Sequence, residues 1–286
     1  MNGIFGQISE FFSYSFALRA MAVGGAVALC AALLGVSLVL KKYSMIGDGL
    51  SHVGFAILAL SSALGAADVN LVITIPVVIV CAVVLLRITE NSSIGGDAAI
   101  AVLSTLSLAI GYIAMYKAGT NVDVGSYMFG NMFTIKEGEA YFSLAVAAVV
   151  VALFVLFYHK IFAVTFDENF AGAAGVPVGG YNIMIASLTA VTIVLGMRMM
   201  GTLLISALII FPSLTSMRLF KSFRAVVISS SIVSLSCFFV GVVASHIISI
   251  PPGSAVVVTN GIVFAVFSLI GFLKEGMVKS NHKKGI

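Results

Sequence analysis

Nine stretches of roughly 20 mostly apolar residues follow one another along this chain, and they constrain its fold more than any other feature. They cover residues 16–40, 45–64, 71–88, 98–116, 141–158, 181–197, 202–217, 225–248 and 254–273. An α-helix rising about 1.5 Å per residue needs that length to cross a hydrocarbon layer ~30 Å thick. Lipid offers no partner to backbone amides, so a segment of this kind must satisfy its own hydrogen bonds as a helix. The expected fold is therefore all-α, a polytopic integral membrane protein with eight to nine transmembrane helices. The count turns on Arg198 to Gly201, where the sixth and seventh stretches either break apart or join as one bent helix. Hydrophobic residues make up 60% of the chain and charged residues 9%, against about 25% charged in an ordinary soluble domain. No stretch is left for a large soluble domain, so residues 1–286 read as a single transmembrane domain.

Basic residues decide orientation. With nine spans and the C-terminus inside, eleven of the fifteen Lys and Arg face the cytoplasm. They are Lys41, Lys42, Arg87, Lys160, Arg218, Lys221, Arg224, Lys274, Lys279, Lys283 and Lys284. Arg19, Lys117, Lys136 and Arg198 face out. Merging two spans spoils this bias, so nine spans with the N-terminus outside is the expected topology. Met1 to Phe12 has no basic n-region and no cleavage-like site; residues 1–13 read as an interfacial lead-in rather than a signal peptide. Residues 274–286 read as a basic cytoplasmic tail. The positives are scattered in short loops and form no stripe, which argues against nucleic-acid binding. Cys30, Cys81 and Cys237 each sit in an apolar stretch without a CxxC spacing, so neither a zinc ribbon nor a disulfide framework is indicated. Gly24, Gly25, Gly35, Gly54 and Gly241 fall inside spans, where small residues let helices approach closely.

The sharpest chemical feature is Gly47-Asp48-Gly49-Leu50-Ser51-His52 at the start of the second span. A carboxylate and an imidazole four residues apart share one helix face. Ionisable groups inside a span are expensive and mark function by default. Both side chains ligate borderline divalent metals. Two copies of the chain about a two-fold axis would offer two Asp and two His. A structural reading stands beside this one: Asp48 caps the helix near the headgroups and His52 bonds a neighbour.

A second feature lies in the inner segment 160–180. Asp167 can cap a short helix, Gly175 can end it and Pro177 prevents its restart. Phe166 and Phe170, four apart, would form one apolar edge. Such a helix suits docking into a groove of a soluble partner; resting on lipid is the plainer reading. Arg198 and His246, near outer span ends, read as snorkelling or ordinarily bonded side chains. The sequence holds no GxxxxGK[ST], HExxH or GxSxG, so it does not bind ATP by a P-loop and carries neither of two familiar hydrolase arrangements.

In these residues the chain resembles the zinc/manganese branch of ABC importer permeases. Ser44-Met45-Ile46-Gly47-Asp48-Gly49-Leu50-Ser51-His52 looks like that family's second-helix signature. Asp123-Val124-Gly125-Ser126-Tyr127-Met128-Phe129-Gly130 resembles its outer-loop motif, and Phe166-Asp167-Glu168 through Gly175-Val176 its cytoplasmic coupling segment. Gly201 through Pro212 and Ile250-Pro251-Pro252-Gly253 also match, in the expected order, so that the likeness covers nearly the whole chain. One departure is Ser213-Leu214, where family members commonly carry two small residues after the proline. The resemblance implies a homodimer of this chain, two cytoplasmic ATP-binding subunits and an extracytoplasmic metal-binding protein. It gives ion coordination to Asp48 and His52, and ATPase coupling to Phe166, Asp167, Glu168, Phe170 and Gly175. The chain would be a transport subunit of the bacterial cytoplasmic membrane and not an enzyme, with ATP hydrolysed by its partner and no permanently bound cofactor. The transported metal would be Zn2+ or Mn2+, with iron also compatible; N and O ligands without thiolate argue against Cu(I), and zinc is favoured. Metal capture needs ionised carboxylate and neutral imidazole, so acid should weaken it. The competing reading is an ion-gradient-coupled secondary carrier using Asp48 and His52 as a proton relay.

Overall fold

The computed structural model describes residues 11–65, 70–91, 96–119, 128–130 and 132–284. Among them the chain forms eleven α-helices: α1 (Ser15–Leu40), α2 (Ile46–Ala63), α3 (Asn70–Asn91), α4 (Gly96–Lys117), α5 (Glu137–Leu156), α6 (Tyr158–Phe166), α7 (Glu168–Ala173), α8 (Val178–Met200), α9 (Thr202–Leu219), α10 (Phe223–Ile248) and α11 (Pro252–Lys284). No strand occurs among the described residues. Eight of the helices are long and apolar enough to cross a membrane, and the stretch Ile73–Ile88 of α3 is a shorter ninth. The nine expected spans are thus all helices.

The question at Arg198–Gly201 is answered by one residue. Gly201 has φ 86° and ψ 163°, a backbone state that L side chains rarely adopt, and it separates α8 from α9 completely. A Cβ added at Gly196 of α8 would stand 2.5 Å from Ile205 Cδ1 of α9, so the chain doubles back there. Other edges differ from the sequence reading. The fifth span starts at Glu137 and ends at Leu156, because the chain bends at Phe157 before α6. The ninth runs as helix from Pro252 through the basic tail to Lys284. Of the interfacial lead-in, residues 1–10 lie outside the described residues; Phe11 is buried, its ring 6.1 Å from Phe133 and 4.7 Å from His246.

Helix α1 is the axis of the bundle, packed by α5, α8, α9 and α10. Its burial follows from its sequence, since Gly, Ala and Ser recur along it and admit neighbours closely. At Gly35 there is no room for a Cβ, because the Ile209 carbonyl of α9 lies against it. At Gly241 an added Cβ would meet Val256 Cα of α11 at 2.6 Å. Lipid is as apolar as leucine, so hydrogen bonds between helices matter here, at about 0.6 kcal/mol each. Ser234 Oγ of α10 donates to the Ala28 carbonyl of α1 at 2.9 Å, and Ser216 Oγ of α9 donates to Ser229 Oγ of α10 at 3.1 Å. The outer surfaces of α4 and α11 expose Val102, Leu106, Ile110, Ile113, Val258, Ile262, Val266 and Leu269 to lipid.

Contacts fall at two ends. Arg198 Nη2 meets Glu139 Oε1 at 2.6 Å, and Arg19 approaches Glu137 at 4.0 Å. At that end Met128–Gly130 also packs on Gly201 and Gly253. At the other, more basic end Lys41 binds Glu168, Phe223 packs on Phe166, and Gly271 packs on Arg218. Residues assigned to one side by charge therefore touch residues assigned to the same side.

Candidate metal site and coupling segment

Helix α2 carries Asp48 and His52 on one face, and His52 Nε2 lies 3.6 Å from Asp48 Oδ2. The helix begins at Ile46, with Met45 at its N-cap position, so Asp48 is inside the first turn and is not the cap. The glycines flanking Asp48 pack on other helices. A Cβ at Gly47 would lie 3.1 Å from Ile209 Cδ1 and 3.9 Å from Ser206 Cα, and these are the eighth and fifth residues of α9. On the opposite flank, a Cβ at Gly49 would stand 2.6 Å from Ile100 and 3.3 Å from Ser104 Oγ of α4. Glycines on either side of Asp48 thus let α2 wedge between α9 and α4. Gly54, one turn beyond, has no room for a Cβ beside Met197 of α8.

The Asp48 side chain is 37% exposed and that of His52 15%, so the pair is not sealed inside the chain. Ser51 is turned away from it, its Oγ donating to the Asp48 carbonyl at 2.7 Å. Among the described residues no three His, Cys, Asp or Glu side chains converge in a way that could hold a metal ion. Asp48 and His52 therefore stand as a pair, a carboxylate beside an imidazole, with no third such side chain converging on them among the described residues.

The inner segment folds as its sequence suggests, with one correction. Asp167 is extended (φ −151°, ψ 102°), and its Oδ1 accepts a hydrogen bond from Phe170 N at 2.9 Å, capping the six-residue α7. Gly175, at φ 80°, closes the helix. Its amide donates to the Gly172 carbonyl at 3.0 Å, and that of Val176 to the Ala171 carbonyl at 3.0 Å, the paired bonds of a Schellman cap. Ala171 and Val176 are buried with Val164 of α6, which pins α7 to the bundle. Phe166 and Phe170 do not form one apolar edge. Asp167 breaks the helix between them, so Phe166 ends α6 and packs on Phe162 and Phe223 at 4.9 and 6.0 Å, whereas Phe170 stands 70% exposed on α7.

Glu168, the first residue of α7, is bound to the bundle by residues that sequence reasoning had counted only as a charge or passed over. Lys41 Nζ donates to Glu168 Oε1 at 2.7 Å and to Asn182 Oδ1 at 2.5 Å; Asn182 Nδ2 donates to Glu168 Oε1 at 3.2 Å. Partial burial works against the Glu168 charge, but the Lys41 hydrogen bond and charge, with Asn182, outweigh it and hold the carboxyl below its ordinary range. Residues 41, 168 and 182 are too far apart in the chain for any local pattern to have paired them.

Arg198 is ion-paired and lies in the last turn of α8, where its charge suits the helix dipole. His246 is exposed beside Phe11 and joins no site. Of the outer-loop motif, Asp123 to Tyr127 lie outside the described residues; Met128 and Phe129 pack with Gly130 on the α8–α9 break.

Set against known proteins, residues 13–271 match the sequence model of the ABC 3 transport family. The manganese import system permease protein ScaB of Streptococcus gordonii is 26% identical over 254 residues, 88% of this chain and 90% of that one. The chelated iron transport system membrane protein YfeD of Yersinia pestis is 28% identical over 275 residues, 96% of this chain and 92% of that one. Among solved structures, a chain of PsaBC from Streptococcus pneumoniae in complex with Fab superposes with a TM-score of 0.80 at 27% identity, covering 91% of this chain and 95% of that chain.

Proposed function

Because this chain belongs to the ABC 3 transport family and is a multi-pass membrane permease of a metal ABC transporter, we propose that it imports a divalent first-row metal through Asp48 and His52. The observation that carries this reading is the pair itself. A carboxylate and an imidazole stand 3.6 Å apart on one helix face, with glycines that seat them between neighbouring helices. An aspartate at the centre of a spanning helix costs about 2.5–3.5 kcal/mol, and ionisable groups inside a span mark function by default.

The metal is cargo, not a resident cofactor. An extracytoplasmic binding protein presents it, Asp48 and His52 take it up, and a second copy of the chain about a two-fold axis supplies the matching pair. Four N and O donors then hold the ion without thiolate. So small a ligand set can bind selectively and still release. Residues 160–180 face the cytoplasm, and two ATP-binding subunits dock there on α7. They hydrolyse the ATP; this chain has no P-loop and performs no covalent chemistry. Basic tail residues 274–286 lie on the same side, in the sense that the positive-inside rule requires. Relatives named for manganese and chelated iron support Mn2+ or Fe2+ as cargo, and they lend no support to the zinc preference read from the sequence.

Cellular metal content, measured by mass spectrometry, tests the reading. A host without its own importers receives this chain, its ATPase and its binding protein. Wild type should raise manganese or iron, and Asp48→Ala and His52→Ala at equal expression should leave it at background. An equal rise in all three would refute the site. A rise that persists when the ATPase is inactivated would favour a gradient-driven carrier instead.

A further inference from the structure

We infer that Lys41 is the link through which movement of the ATPase-docking helix α7 reaches the metal-binding pair; this rests on the function proposed above. Three separate elements meet at its ammonium group. Lys41 caps the C-terminus of α1, the bundle's axis. Glu168 opens α7, and Asn182 lies in the second turn of α8. The three side chains close a triangle of hydrogen bonds at 2.7, 2.5 and 3.2 Å. The Lys41 side chain is only 8% exposed, so its ammonium group is held in place more firmly than a surface lysine's, although Glu168 is half-exposed.

The turn between Lys41 and α2 gives the bond its use. Lys42 sits at φ 62°, a left-handed state uncommon in a residue other than glycine. The Tyr43 amide donates back to the Leu38 carbonyl at 2.8 Å, and the Ile46 amide to the Tyr43 carbonyl at 3.1 Å, making a tight return into α2. Asp48 is the third residue of that helix. A displacement of α7 therefore pulls on Glu168, through it on Lys41, and through a short hydrogen-bonded turn on the helix that carries Asp48 and His52. Asn182 binds the same pair to α8, so the pull is shared with the helix against which Gly54 is packed.

The test uses the whole complex, with permease, ATPase and binding protein in proteoliposomes, and Mn2+ as the probe. Metal moved and ATP hydrolysed are measured together, and Mn2+ binding is measured separately. Lys41→Gln should keep Mn2+ binding and ATP turnover while metal moved per ATP falls about tenfold, the size expected of a coupling residue that touches no ligand. Lys41→Arg should retain most of the ratio, and the swap Lys41→Glu with Glu168→Lys should recover part of it. Should Lys41→Gln fail to assemble, Lys41→Met, which keeps the buried stem and removes the charge and both hydrogen bonds, gives the same reading. A ratio within about twofold of wild type in Lys41→Gln or Lys41→Met would overturn the inference while leaving the transport function intact. Loss of Mn2+ binding in step with transport would also overturn it, by making Lys41 part of the site's scaffold. If wild type moves no metal, the function itself falls and takes this inference with it.

Discussion

Asp48 and His52 were readable from the sequence as a pair, because i and i+4 share a helix face whatever the helix packs against. Their packing was not readable. It depends on Gly47 and Gly49 meeting α9 and α4, which are far away in the chain. The same limit hid Lys41, which by its place in the sequence is just one of two lysines ending an apolar run. Its partners could be found only by folding the chain. Glu168 gives a residue-scale test. Its carboxyl is held below the ordinary range by Lys41, so the bond contributes stability that is present above about pH 4.3 and lost as pH falls through the lowered value. Thermal midpoints of the purified complex should therefore favour wild type over Glu168→Gln near neutrality, and the gap should close as pH drops through the acid range. A gap that widens with acid would contradict the ion pair. Solvent at the half-exposed Glu168 keeps the effect small.

Among the helices, the close crossings at Gly35 and Gly241 have no room for a methyl group. Gly35→Ala, which drives a Cβ into the Ile209 carbonyl, should destabilise by about 1–3 kcal/mol, as overpacking does. The check is a lower thermal midpoint in detergent, with Gly179→Ala, whose Cβ meets nothing within 4 Å, as the control that stays near wild type. For α7 the element-scale device is its cap. Asp167→Ala removes the bond to Phe170 N and should cost the short helix about 1 kcal/mol, with Asp167→Asn largely sparing it. Faster amide exchange across residues 168–173 in the alanine variant alone would bear this out; equal exchange in all three would refute the cap. The capping residues at both ends of α7 were legible because Asp at an N-cap and Gly at a left-handed C-terminus are local rules. The supposed Phe166–Phe170 edge failed for a local reason as well: the residue that caps one helix must leave the other, so side chains on either side of Asp167 cannot share a helical face.

Across the described residues, eight helices long enough to cross a membrane and the shorter apolar stretch Ile73–Ile88 would, as nine spans, change side at each connection. Gly201 breaks the chain between α8 and α9, and a single bent helix in its place would put every later connection on the opposite face. The contacts follow this alternation, with Arg198 and Glu139 at one end and Lys41 and Glu168 at the other. Single cysteines at Gly138 and Gly179, both in open space, should then react differently with a membrane-impermeant maleimide. The first should label in intact cells and the second only after permeabilisation; the reverse pattern would invert the protein. The central claim, that Asp48 and His52 hold the transported ion, is tested most directly by electron spin echo spectroscopy of Mn2+ added to the purified permease–ATPase complex. The account predicts modulation from a coordinated imidazole nitrogen in wild type and its loss in His52→Ala. The same nitrogen signal in wild type and His52→Ala, or no saturable Mn2+ in the wild-type complex, would contradict it.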